Sequence, residues 1–173
     1  MAQTDIELLT RCAEFSLEHI QDIEEKILKE LQTSGATRLV MGLRVCRLQR
    51  AVVAVGMFSI FESLLQQAMN WKDTFAELDK YLRGHGEDIL ADRIADYYKA
   101  INALKHGVGA SHSKLLNRQS LEFEVRAQGD FFFEGDVSEV GVLIDADDDF
   151  LRLCSELIGT VSAVIEAKDG IRV

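Results

Sequence analysis

This chain of 173 residues contains no proline, so nothing in it breaks a long helix by removing a backbone donor. Cysteine is scarce: Cys12, Cys46 and Cys154 stand far apart and form no C-x-x-C pair. Each falls in a helical pattern, and an odd count without pairing spacing reads as reduced, buried thiols. No run reaches the roughly 18 consecutive apolar residues that a membrane span requires. The most apolar stretch, Ala51 to Phe61, is closed by Arg50 and Glu62 and suits a buried core helix. The opening MAQTDIELLT lacks the basic-then-apolar order of a signal peptide, which points to the cytoplasm and away from membranes. Metal signatures are missing too. The residues three before the four histidines are Ser16, Leu82, Ala103 and Gly109, so the Glu-x-x-His pairs of a di-metal bundle do not occur. No His-x-x-x-His occurs either. Gly84-His85-Gly86 stands without the G-x-x-x-x-G-K-[ST] of a phosphate-binding loop. No metal and no cofactor are therefore expected.

What the chain does contain fits one soluble domain over residues 1–173, with 47% apolar and 28% charged residues. The net charge of −10 is unevenly placed. Residues 121–149 hold ten acids and one base, Arg126, so this stretch carries −9 and everything else −1. The opposite bias occurs at residues 37–50, where Arg38, Arg44, Arg47 and Arg50 meet no acid. The overall acidity opposes non-specific nucleic-acid binding. It leaves room for a local basic site on a nearly neutral bundle.

Apolar residues at steps of three and four predict helices over about 4–32, 36–70, 73–83 and 87–106, and a last one from about 147 onward. Thr4 or Asp5 suits the first N-cap. The second helix is apolar nearly all round in its middle and is expected to be the central, most buried one. Residues 111–117 suit one more helical turn. Between them and the last helix the period changes from 3.6 to 2. Leu121, Phe123 and Val125 alternate with Glu122, Glu124 and Arg126. The expected fold is mainly α, an antiparallel bundle of four to five helices with a small β-hairpin or sheet near residues 120–145.

The most informative stretch is KAINALKHG, residues 99–107. Lys99, Asn102 and His106 stand at i, i+3 and i+7, stacked over successive helical turns. A histidine in a helix's last turn meets the negative end of the macrodipole, which favours its protonated form. These groups suit metal-independent RNA cleavage, in which the 2′-hydroxyl attacks the neighbouring phosphate. His106 would act as acid or base, Lys99 would neutralise the phosphate, and Asn102 would orient either partner. Glu62 interrupts the apolar FSIFESLL, where a carboxylate is costly unless paired. It is expected to face the His106 helix and to fix the lysine or histidine there. Arg44, Arg47 and Arg50, at i, i+3 and i+6, form a basic edge. That edge would track an RNA backbone or receive the acidic segment of this or another chain. The acidic segment itself would dock a basic protein partner or shield strand edges.

The stretch NALKHGVGASHSKL, set between a long helix and a final one, resembles the HEPN superfamily of helical-bundle nucleases and nucleotide-binding domains. Asn102, Lys105, His106, Gly107, Gly109 and Ser111 match an N-x-x-K-H-G-x-G-x-S pattern found among its prokaryotic members. The resemblance is loose over residues 36–165 and sharp only in this motif. It implies a homodimer whose paired motif helices form one RNA-cleaving cleft, and roles in toxin–antitoxin pairs or phage defence. Lys105, Gly107, Gly109 and Ser111 would then line the RNA. Catalytic members carry an arginine separated from the histidine by four to six residues. Here the one basic residue at that spacing is Lys99, which lacks the forked guanidinium that clamps a phosphate twice. Two readings follow: an endoribonuclease or nuclease-derived effector, and a non-catalytic regulatory bundle.

Overall fold

The computed structural model describes residues 4–173, and within them six helices and no β-strand. They are α1 (Asp5–Leu31), α2 (Thr37–Met69), α3 (Thr74–Gly84), α4 (Asp88–His106), α5 (Ala110–Leu116) and α6 (Asp148–Asp169). Local sequence explains most boundaries. Thr4 caps α1 by accepting from the Glu7 backbone N–H, while the Glu7 carboxylate takes the Thr4 N–H, closing a capping box. Asp147 caps α6 through the Phe150 N–H at 2.8 Å. Asp148 and Asp149 follow in the first turn of α6, at the positive end of its dipole.

α1 and α2 form an antiparallel hairpin, and α6 packs against α1, α2 and α4. A Cβ on Gly42 of α2 would stand 2.6 Å from Cδ1 of Ile27 on α1, so glycine allows the close approach here. The core runs through Phe58, Phe61 and Leu65 of α2, Ile94, Tyr97 and Ile101 of α4, and Leu157, Ile158 and Val161 of α6, all almost fully buried. Phe75 docks α3 by stacking on Tyr98 at 3.9 Å between ring centres.

Two expectations about α2 and the cysteines change. α2 is central but only half covered. Met41, Val45, Leu48 and Val52 lie on its outer side, each at least half exposed. By length and composition α2 is apolar enough to cross a membrane; in this fold that composition divides between a core-facing side and an outward stripe. Cys46 and Cys154 are buried as expected, whereas Cys12 is exposed.

The expected β-hairpin near 120–145 does not form. Among the described residues a single antiparallel bridge, Val125 to Ile144, joins the two arms of this segment. It is flanked by Arg126 N–H to Leu143 O and Asp145 N–H to Glu124 O, both 3.1 Å. Extending this register sets Glu124 opposite Asp145 and Glu122 opposite Asp147, and like charges directly opposed destabilise a ladder. The alternation nevertheless marks the inward side correctly: Leu121, Phe123 and Val125 pack on the core. Phe123 meets Tyr97 at 5.0 Å and Phe150 at 5.3 Å.

Arg126 replaces the missing ladder. Its Nε donates to Val142 O at 2.8 Å and its Nη2 to Val140 O at 2.6 Å. Its Nη1 pairs with Glu139 at 2.6 Å, and its guanidinium lies 4.7 Å from the Phe132 ring centre. The one base of the acidic stretch is thus its organising group. Between the arms the chain turns through Gly129 (φ 92°) and Gly135 (φ 87°), conformations that favour glycine.

Candidate functional site

The sequence motif forms the last two turns of α4 and the loop after it. Gly107 takes φ 70°, ψ −138° and donates its N–H to Ala103 O at 2.8 Å, a stop that a side chain would strain. Gly109 is extended, at φ 177°, and α5 begins directly after it. His106 is exposed and, among the described residues, has no hydrogen bond or ion pair. Lys105 is exposed, and Asn102 and Ser111 are half-buried. The imidazole therefore does emerge into water on the same helix side as Lys99 and Asn102.

Lys99 is already committed. Its ammonium lies 2.9 Å from Oδ1 of Asp96, one turn back, whose side chain is only 11% exposed. The other oxygen of the same carboxylate accepts from both Nε and Nη2 of Arg118 at 2.9 Å. This carboxylate holds the Arg118 proton above the usual guanidinium range. One largely buried carboxylate is thus shared by two cations. Asp88 and Asp92 continue the stripe toward the start of α4, so the basic end of the motif stands on an acidic ridge. Asp92 is itself held below the usual carboxylate range by Arg83, 2.7 Å away.

A cavity of about 200 Å³ opens beside this cluster, lined by Arg93, Asp96, Tyr97, Arg118 and Phe123 among others. Among the described residues, the buried Tyr97 hydroxyl has no hydrogen-bond partner. Burial first, and then the neighbouring Cys154 and Glu122, push its ionisation far above the ordinary tyrosine range.

The remaining expected site residues go elsewhere. Glu62 is half-buried on α2 and makes no hydrogen bond or ion pair to Lys99, Asn102 or His106. The arginine edge is largely spent within the chain. Arg50 is buried and pairs with Glu24 of α1 and, at 2.6 Å, with Asp148 of α6. Arg47 reaches Asp136 of the acidic segment at 2.6 Å, and the Ser138 hydroxyl first, with the Ser138 N–H and then Arg47, holds Asp136 below the usual carboxylate range. Arg44 is exposed. Of the two fates open to this edge, reception of the chain's own acidic segment is the one observed for Arg47 and Arg50.

Arg47, Arg50 and Arg152 share a groove of about 440 Å³ with Glu24 and Asp145 to Asp149. Burial and the neighbouring Asp147 raise Asp145 above the ordinary carboxylate range, against the pull of Arg47. Holding Asp145 ionised at neutral pH therefore costs stability, and the cost vanishes below its unfolded value of 3.8. Asp145→Asn is expected to raise the unfolding free energy at pH 7 and to leave it nearly unchanged at pH 3, read from urea titrations at the two pH values.

Two groups escaped the sequence reading. For Asp96 the available sequence signal is its i, i+3 spacing to Lys99. Arg118 lies 22 residues beyond Asp96, and no local pattern links them. The second histidine of the motif, His112, is buried and its Nε2 donates to Arg126 O at 2.8 Å, tying α5 to the acidic segment. Among the described residues no group of three or more His, Cys, Asp or Glu is arranged to hold a metal ion. No family model, curated protein or solved structure matches this chain.

Proposed function

We propose that this protein is a HEPN-like helical bundle acting in the cytoplasm as a non-catalytic interaction or regulatory subunit, of the toxin–antitoxin or phage-defence kind that the sequence resemblance implies. The observation that carries this reading is the double pairing of Asp96 with Lys99 and Arg118. A phosphate seeking Lys99 has to displace a largely buried carboxylate and then sit beside Asp92 on the same ridge. Bare cations are what stabilise a phosphorane, and here both already hold a carboxylate. Arg47 and Arg50, the other groups suited to an RNA backbone, are held by Asp136, Glu24 and Asp148. The acidic segment, with Phe131, Phe133 and Val137 exposed on it, suits a basic protein partner better than a polyanion.

The metal-independent endoribonuclease is the second reading, favoured by the exposure of His106 beside Asn102. Incubation of RNA with the protein in EDTA separates the two. Neither the wild type nor His106→Ala is expected to cleave. EDTA-resistant cleavage by the wild type, lost at least about 100-fold in His106→Ala, would overturn the regulatory reading and establish the nuclease.

A further inference from the structure

α2 is apolar on more sides than the bundle can cover. Met41, Val45, Leu48 and Val52 are 50, 58, 50 and 61% exposed. Together with Arg38, Val55, Ser59 and Glu62 they occupy positions separated alternately by three and four residues. That is the spacing at which one helix seats its side chains between those of another. The eight positions span roughly 36 Å of helix at 1.5 Å per residue. Arg38 and Ser59 are exposed and Glu62 is half-buried, while Val55 is half-buried with part of its surface on the core, so the row continues beyond the four outward apolar residues at both ends.

The row is symmetric about residue 50. Laid antiparallel on an identical helix, Leu48 meets Val52 of the second copy, Val45 meets Val55, Met41 meets Ser59 and Arg38 meets Glu62. The charges select this arrangement. Glu62 is the one acid in α2, and among the described residues it has no ion pair within its own chain. Arg38 touches Glu30 of α1, but that pair is widely exposed, at 68% and 45%, and a guanidinium has donors left for a second carboxylate. A parallel pairing would set Arg38 against Arg38 and Glu62 against Glu62. A costly half-buried carboxylate with no partner in its own chain thereby acquires one at a defined place.

We propose that α2 pairs antiparallel with α2 of a second copy along Arg38, Met41, Val45, Leu48, Val52, Val55, Ser59 and Glu62. This stands on α2 alone and is independent of whether His106 cleaves RNA. Sedimentation equilibrium of the full chain is expected to give twice the mass of one chain. Leu48→Glu and Val52→Glu each bury a charge in the seam and are expected to weaken dimerisation about 100-fold or more. Both positions face water in one copy, so helical circular dichroism should be retained. Arg38→Glu is expected to weaken the dimer, and adding Glu62→Arg to restore it. A monomeric wild type overturns the proposal, and flotation of that monomer with neutral phosphatidylcholine vesicles would assign the stripe to a lipid surface instead. A dimer that survives both glutamate substitutions overturns it as well, by placing the interface elsewhere.

Discussion

Replacing Arg126 with alanine is expected to destabilise the protein by about 3 to 5 kcal/mol, the range for stripping one partner from a buried ion pair. The Arg126 and Glu139 side chains are only 10% and 7% exposed. Without the guanidinium, Glu139 keeps a charge in a place that water barely reaches. The carbonyls of Val140 and Val142, both half-buried residues, lose their donors at the same time, which adds a smaller cost because water reaches them in part. One β-bridge joins the arms, and beyond it the segment is tied down by the Arg47–Asp136 pair, the His112 hydrogen bond and the packing of Phe123. Amide hydrogen exchange should rise over residues 124–145 well before α1 and α2 open. Adding Glu139→Gln removes the stranded charge and should recover part of the loss, which a double-mutant cycle in urea measures. Unchanged exchange in this segment, with a loss below about 1 kcal/mol, would show that the aromatic contacts of Phe123 suffice to hold it.

Arg50→Ala ranks second, with an expected loss of about 3 kcal/mol. Arg50 ties three helices together: it lies on α2, takes Glu24 from α1 and takes Asp148 from the first turn of α6. Its own side chain is 6% exposed, whereas Glu24 and Asp148 are 25% and 31% exposed. Water can reach the abandoned carboxylates in part, so the expected loss sits at the lower end of the buried-pair range. Asp148 also keeps the positive end of the α6 dipole as a residual stabiliser. Glu24→Gln on the alanine background should recover stability, because repulsion between Glu24 and the acids at the α6 start is then relieved. Thermal unfolding with and without added salt gives a further check. An exposed pair would weaken in salt, whereas the difference between wild type and Arg50→Ala should persist. A variant as stable as the wild type would mean that α1, α2 and α6 are held by apolar packing alone.

These two arginines mark where sequence reading stops. Each stands in a run of one sign, Arg126 alone among acids and Arg50 among arginines. Local inspection reads both runs as solvated faces or as surfaces for other molecules. In the fold the two runs meet, since Asp136 lies on Arg47 and Asp148 on Arg50. The charge asymmetry was visible; its internal cancellation needed contacts spanning 89 and 98 residues. The candidate site divides similarly. The helix, its glycine stop and the exposure of His106 follow from spacing and capping. The pairing of Lys99 with Asp96 lies within one helical turn, whereas the second cation on that carboxylate, Arg118, is delivered only by the chain's return past α5. Glu62 stands out in the sequence as a carboxylate in an apolar run, and in the fold it makes no hydrogen bond or ion pair to Lys99, Asn102 or His106.

By itself the sequence determined the helices, the cap of α1, the inward faces and the alternation that turns Leu121, Phe123 and Val125 to the core. These depend on backbone geometry and side-chain period, which act within a few residues. The tertiary structure alone decided that the acidic segment closes on Arg126 and Glu139 instead of a β-ladder, and that the arginine edge is filled by the chain's own carboxylates. It also decided that one side of α2 stays uncovered. Those outcomes turn on burial and on Coulomb interactions between residues far apart in sequence, whose strength is set by distance and desolvation once the helices have packed.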